Sequence, residues 1–137
     1  MEKLYKILID TNFFFIPFYE NFDVLEELPK FLENKKILIE GFYTLRKNIW
    51  EIENKIKTAK SKKWEKIYTL VMNYIKKHNI KIIDTSVNEK TDRLIVETVI
   101  KDPDKWIVCT QDKNLREILK RLKIKVIYYA NKSLHII

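Results

Sequence analysis

Short apolar runs alternate along the chain with longer segments in which apolar residues recur every three or four positions. Each short run is rich in Ile or Val and is continuous rather than alternating. This is the pattern of strands that are covered on both faces, as in a parallel sheet. The pattern predicts five strands, at Leu4–Ile9, within Ile37–Leu45, and at Ile80–Ile83, Trp106–Cys109 and Val126–Tyr129.

The segments between these runs have helical periodicity. We predict that Pro29 bends or breaks the first long helix and that the helix before the fourth strand starts at Ser86 or Asn88. Strands that alternate with helices predict an α/β fold, a three-layer α/β/α sandwich around a central, mainly parallel sheet of about five strands. We expect residues 1–137 to form a single domain. The predicted helices lie within residues 22–34, 48–60, 62–78, 86–102 and 112–123.

Composition places the chain among folded globular proteins, because 46% of its 137 residues are hydrophobic and 34% are charged. A single glycine leaves no room for a glycine-rich phosphate loop. No apolar run approaches the roughly 18 residues of a membrane span, and the N-terminus does not have the form of a signal peptide. Since the one cysteine, Cys109, fits a reducing compartment, we expect a cytoplasmic protein with no membrane partner.

The formal net charge of +8 favours a polyanionic partner, with nucleic acid first. A composition rich in Lys, Ile and Glu, as in proteins from hot environments, produces the same charge without any such partner. Two basic stretches, residues 54–66 and 112–123, are the candidates for contact with a phosphate backbone, although a solvated surface explains them as well. The side chains that we assign to contact with nucleic acid are Lys60, Lys62, Lys63, Lys113 and Arg116.

Acidic residues follow two of the predicted strands. Asp10 comes directly after the first strand and Asp112 shortly after the fourth, so both lie at the carboxyl edge of a parallel sheet, where ligands bind in open α/β folds. Asp92 and Glu51 reach the same edge from helix starts. Clustered carboxylates repel one another unless a cation lies among them, and oxygen ligands without His or Cys favour Mg²⁺ or Mn²⁺. The run Phe13–Phe15 is expected to return the chain to the core.

The order of "IDTN", an acid within "NIWEIEN", "TDRLIVETV" and "CTQDKNLREILKRLKIKVIYY" resembles the PIN domain, a family of metal-dependent ribonucleases. The similarity runs from about Leu4 to Tyr129. The segment "DTNFFFIPF", followed by "FDVLEEL", is most similar to the branch that contains the small-subunit processome nuclease and its archaeal relatives. That branch acts in or near ribosomal RNA processing.

The resemblance implies roles for particular residues. Asp10, Asp92 and Asp112 match family acids that bind the metal ion, and Asn12 and Thr110 match polar residues that support them. We favour Glu51 as the second acid of the catalytic set. Glu53 is an alternative, and a register anchored on the preceding strand places Arg46 there instead.

The function implied by the resemblance is hydrolysis of RNA phosphodiesters by an endoribonuclease that uses Mg²⁺ or Mn²⁺. An rRNA precursor is the expected substrate, and a second copy of the chain or a ribosome-assembly protein is the expected partner. Two alternatives remain at this point: an inactive PIN domain that binds RNA or protein, and a toxin ribonuclease that is controlled by an antitoxin. A receiver domain is disfavoured because its acids follow a different pattern.

Overall fold

The computed structural model describes residues 3–137. All five predicted strands form, each with bounds within one residue of the prediction. In chain order the elements are β1 (Leu4–Ile9), α1 (Thr11–Phe14), α2 (Ile16–Tyr19), α3 (Val24–Asn34), β2 (Leu38–Leu45), α4 (Arg46–Lys57), α5 (Lys62–Lys77), β3 (Ile80–Ile83), α6 (Thr91–Val99), β4 (Trp106–Cys109), α7 (Lys113–Arg121), β5 (Lys125–Ala130) and β6 (Ser133–Ile136).

The strands form one sheet in the order β3-β2-β1-β4-β5-β6. Strands β1 to β5 are parallel to their neighbours, and β6 is antiparallel to β5. In the central pair, Ile9 lies opposite Cys109, so β1 and β4 end at the same level. The residues that follow these two strands, Asp10 and Thr110, therefore leave the sheet side by side.

Helices cover both faces of the sheet because successive residues of a strand point to opposite faces. Ile7 and Ile9 of β1 belong to one apolar core, which they share with buried residues of α1, α3, α4 and α5. Leu8, between them, belongs to a second core with buried residues of α6 and α7. The predicted α/β/α sandwich is confirmed. No helix within residues 3–137 is both long and apolar enough to cross a membrane.

A sixth strand extends the predicted sheet of about five. It forms a tight hairpin with β5, and the two turn residues, Asn131 and Lys132, have φ angles of 52° and 64°. Such a turn usually carries Asn-Gly, because positive φ is costly for residues with a side chain. Because Lys132 occupies the second turn position in place of glycine, the sequence lacks the usual hairpin signal.

The predicted break at Pro29 does not occur, and one predicted helix start is wrong. Helix α3 continues through Pro29, because the proline removes only one backbone hydrogen bond while Leu28 and Leu32 hold the helix against the core. Helix α6 begins at Thr91 rather than at Ser86 or Asn88. The Ser86 hydroxyl instead accepts a hydrogen bond from the Asn88 N–H at 3.1 Å, which closes a turn before the helix.

Candidate active site

A cleft of about 550 Å³ opens at the carboxyl edge of the sheet, above the ends of β1 and β4. All four carboxylates of the predicted catalytic set line it. We call this site the carboxylate cleft and define it by those four residues, Asp10, Glu51, Asp92 and Asp112.

Asp10 is the most deeply placed of the four, with 5% of its surface exposed. Its Oδ1 accepts hydrogen bonds from the Thr11 backbone N–H at 2.8 Å and from Asn48 Nδ2 at 3.1 Å. Its Oδ2 accepts a third from the Thr110 hydroxyl at 2.7 Å. Three neutral donors from three separate segments of the chain therefore fix the orientation of this carboxylate, as expected for a metal ligand.

Asn48 is a site residue that the sequence pattern did not reveal. It lies in the first turn of α4 and is fully buried. Its Nδ2 donates both to Asp10 and to the Thr11 hydroxyl, the latter at 2.8 Å, while its Oδ1 accepts from the Leu45 N–H at 3.0 Å. The available signal was spacing, because Asn48 precedes Glu51 by three residues and so shares its helix face. A search for charged side chains passes over a neutral amide.

Glu51 reaches the cleft from the same face of α4. The Thr11 hydroxyl donates a hydrogen bond to Glu51 Oε1 at 2.6 Å. Glu53 and Arg46, the alternatives for the second acid, line a different groove together with residues of α5 and β3. The structure therefore brings Glu51 to the other acids and leaves Glu53 and Arg46 outside the cleft.

Asp112 stands at the start of α7 and caps it. Its Oδ1 accepts from the backbone N–H groups of Asn114 at 2.9 Å and Leu115 at 3.1 Å. Both bonds use Oδ1, so Oδ2 remains available to a ligand. Thr110 joins the two acids of the central strands, since its hydroxyl donates to Asp10 and accepts from the Asp112 N–H at 3.1 Å.

The Asn12 side chain bonds to the backbone of Gln111 and not to any of the four acids. Its Oδ1 accepts from the Gln111 N–H at 3.1 Å. The Gln111 side chain in turn holds Tyr129 of β5, with one hydrogen bond to its carbonyl at 2.9 Å and one from its N–H at 2.7 Å. These contacts fix the loop that carries Asp112.

The electrostatics of the cleft disfavour a full set of charges. Burial raises the pKa of Asp10 to about 6, and the nearby charges of Glu51 and Asp92 add to this effect, while the hydrogen bonds from Thr110 and Thr11 oppose it. The pKa of Asp92 is also raised, first by burial and then by the charges of Asp112 and Glu51. A cation in the cleft would relieve both effects.

The basic residues assigned to RNA contact lie outside the cleft lining. Lys60, Lys62, Lys63 and Lys113 are exposed, and the Arg116 guanidinium lies 4.4 Å from the centre of the Tyr128 ring. The cation that does line the cleft is Lys55, one helical turn after Glu51. The structure therefore adds Lys55 as a basic residue of the cleft lining.

The donor set fits a hard divalent cation. Its candidate ligands are all carboxylate oxygens, which Mg²⁺ and Mn²⁺ prefer. Within residues 3–137, no three His, Cys, Asp or Glu side chains come close enough together to hold a metal ion by themselves. This spacing is compatible with Mg²⁺, which proteins usually hold by one or two carboxylates together with water and substrate phosphate.

The family follows from a comparison of the sequence with family models. The model described as a PIN-like domain matches residues 7–132. The chain belongs to the PIN-like domain family. The PIN-like chain is also similar to the solved structure of the PIN domain endonuclease Utp24, with a TM-score of 0.75 and 21% identity over 96% of this chain and 90% of that one. A comparison with curated protein sequences gives no match.

These findings confirm the predicted resemblance and the predicted fold. The chain has the fold of a PIN-domain nuclease. The roles of Asp10, Glu51, Asp92 and Asp112 remain predictions, which the placement of all four in one cleft supports.

Proposed function

We propose that this PIN-like domain is an endoribonuclease that hydrolyses RNA phosphodiesters with Mg²⁺ or Mn²⁺. The observation that carries the proposal is the burial of Asp10 between three neutral hydrogen-bond donors, in a cleft that it shares with Glu51, Asp92 and Asp112. A charge placed there costs stability, as the raised pKa of Asp10 indicates. Such a cost is typical of a functional site rather than of a structural cap.

The surroundings of each acid support a particular role in metal binding. Asp10 and Asp112 would hold the metal ion, because the bonds from Thr110, Asn48 and the α7 backbone fix their carboxylates. Asp92 would bind it directly or through water. When bound, the metal supplies a hydroxide near neutral pH and stabilises the leaving oxygen.

Glu51 would orient the ion or its water from helix α4. The Thr11 hydroxyl, which accepts from Asn48 and donates to Glu51, fixes that carboxylate relative to Asp10. Lys55 lies one turn further along the same helix, lines the cleft, and offers a positive charge to a phosphate group entering it.

The substrate and setting are a further part of the proposal. The net charge of +8 supports RNA as the partner. The similarity of residues 10–28 to the rRNA-processing branch supports an rRNA precursor as the substrate. A cytoplasmic protein that works as a homodimer or with a ribosome-assembly partner is consistent with that role.

The alternative is a PIN domain that binds RNA without cutting it. One observation favours it: within the described part of the chain, no three carboxylates converge closely enough to bind an ion unaided. In that case the acids would be remnants of a site, and the chain would act as a binding module.

Incubation of the purified chain with single-stranded and structured RNAs tests the proposal. The reactions contain Mg²⁺, Mn²⁺ or EDTA, and each is repeated with Asp10→Asn. We expect internal cleavage that requires metal and falls by at least about 1,000-fold in the variant. RNA binding without cleavage under any metal, equal in both proteins, would establish the binding module instead.

A further inference from the structure

We propose that Tyr19, backed by Phe15, forms a subsite that stacks on an unpaired RNA base beside the carboxylate cleft. The inference rests on the proposed function, because it identifies how RNA would be held at that same site.

Tyr19 differs from the aromatic residues that precede it. Phe13 and Phe14 are fully buried, whereas Tyr19 is 62% exposed. It nevertheless lines the carboxylate cleft together with Asp10 and Asp92. A large aromatic side chain that is exposed at the mouth of a polar cleft offers a ring face to a ligand.

The Tyr19 ring rests on a rigid support. Its plane is inclined by only 14° to that of Phe15, with ring centres 6.0 Å apart, and Phe15 is 6% exposed. The backbone is also fixed, because Pro17 restricts the first turn of α2 and the Glu20 N–H donates to the Ile16 carbonyl at 2.8 Å. A base that stacks on Tyr19 would therefore immobilise little additional structure.

The aromatic contacts continue away from the cleft. The Tyr68 ring meets Phe15 edge to face, with centres 5.9 Å apart, and Trp64 stacks on Tyr68 at 5.9 Å and 27°. Trp64 is 38% exposed, so the row ends on a second accessible ring. Lys55 Nζ lies 5.6 Å from the centre of the Tyr68 ring and also lines the cleft.

Exposed ring faces beside a cation match the chemistry of a single-stranded nucleic acid, in which exposed bases stack and phosphates are neutralised. A base within a duplex is already stacked on both sides and cannot cover Tyr19. The subsite therefore selects RNA that is unpaired next to the phosphate in the cleft. Glu20, at the same mouth, opposes approach of the backbone from its side, so Lys55 marks the favoured path.

The test measures RNA binding in EDTA, so that it does not depend on cleavage. Fluorescence anisotropy follows the binding of short single-stranded RNAs in which one nucleotide at a time is abasic. The proteins are the wild type, Tyr19→Ala, Tyr19→Phe and Trp50→Ala. Trp50 is a matched control, since it is 37% exposed but does not line the cleft.

We expect Tyr19→Ala to weaken binding by about 10-fold, and Tyr19→Phe and Trp50→Ala to change it by less than about twofold. One abasic position should weaken binding of the wild type by a similar factor but have no effect on Tyr19→Ala. Melting temperatures of the variants identify any that fail to fold, and Tyr19→Phe keeps the ring if Tyr19→Ala unfolds.

Three outcomes would overturn the subsite: equal binding by the wild type and Tyr19→Ala, a loss in Tyr19→Ala that no abasic position reproduces, or no binding of RNA by the wild type. Failure of the proposed function looks different. In that case binding would depend on Tyr19 as expected, but the wild type would cut no RNA with Mg²⁺ or Mn²⁺.

Discussion

Two grooves of similar size flank helix α4, and only one has the features of an active site. The carboxylate cleft measures about 550 Å³ and the other, which we call the outer groove, about 630 Å³. The outer groove is lined by residues of α4, α5 and β3, among them Arg46, Glu53 and Lys76. Volume therefore does not distinguish them.

The difference lies in where the charges sit. In the outer groove Arg46, Glu53 and Lys76 are exposed and of both signs, so water screens them. In the carboxylate cleft Asp10 is buried among neutral donors, and like charges surround it. Buried, hydrogen-bonded acids at the carboxyl edge of the sheet therefore distinguish the candidate active site from the outer groove.

The largest difference between the two grooves is expected when one acid is removed from each. Glu51→Gln should lower RNA cleavage by about 100-fold, because the amide cannot neutralise a cation that Asp10 and Asp112 also hold. Glu53→Gln should leave the rate within about twofold. Initial rates under saturating Mn²⁺ measure both, and equal losses, or a larger loss in Glu53→Gln, would show that Glu51 is not the second acid.

The second largest effect is expected on stability, when the buried amide of Asn48 is removed. Asn48→Ala leaves the Leu45 N–H and the Thr11 hydroxyl without their buried partner, and we expect it to lower the free energy of unfolding by about 3 kcal/mol. Urea unfolding measures the change. Asn54→Ala, on an exposed position of the same helix, is the matched control and should cost less than about 0.5 kcal/mol. Similar costs for both variants would show that the polar network is unimportant.

The acids were predictable from sequence, and the network that holds them was not. Asp10 and Asp112 follow continuous apolar runs, and this pattern alone places them at strand ends. Asn48 carries no charge, and its partners Asp10 and Thr11 are 38 and 37 residues away. Such long-range hydrogen bonds leave no periodic trace in the sequence.

The fold shows the same division. Strand β1 was predicted to the residue because five of its six positions are apolar or aromatic and a polar segment follows at once. Strand β6 was missed because its turn uses Lys132 at positive φ where glycine is usual. The start of α6 depends on a Ser86 turn that competes with a helix cap, and periodicity does not decide between them.

The pH dependence of stability tests whether Asp10 is buried as the structure shows. Asp10 has a pKa of about 6 in the folded chain, against an ordinary value of 3.8, so the folded state holds its proton more strongly than the unfolded state. Without metal, this group's contribution to stability is therefore lost as pH rises from about 4 to about 6, by about 2–3 kcal/mol.

Asp10→Asn should lack that decrease. Urea unfolding of both proteins in EDTA at pH 4 and pH 7 gives the difference between their pH dependences. Glu53→Gln serves as the control and should follow the wild type. Identical pH dependence in the wild type and Asp10→Asn would contradict the burial argument.

The smallest expected effect concerns the lysines. Lys55→Gln removes a charge from the carboxylate cleft and Lys76→Gln removes one from the outer groove. We expect Lys55→Gln to weaken RNA binding a few-fold and to reduce the salt dependence of binding by about one counterion, with no change for Lys76→Gln. Binding isotherms at several salt concentrations measure both, and equal salt dependence in all proteins would exclude Lys55 from the RNA path.

The most direct test of the central claim is to measure Mn²⁺ binding by isothermal titration calorimetry in the absence of RNA. The carboxylate cleft predicts saturable binding by the wild type and Glu53→Gln, and at least about 10-fold weaker binding by Asp10→Asn. Undiminished binding by Asp10→Asn, or loss of binding in Glu53→Gln alone, would contradict the assignment of the metal to this cleft.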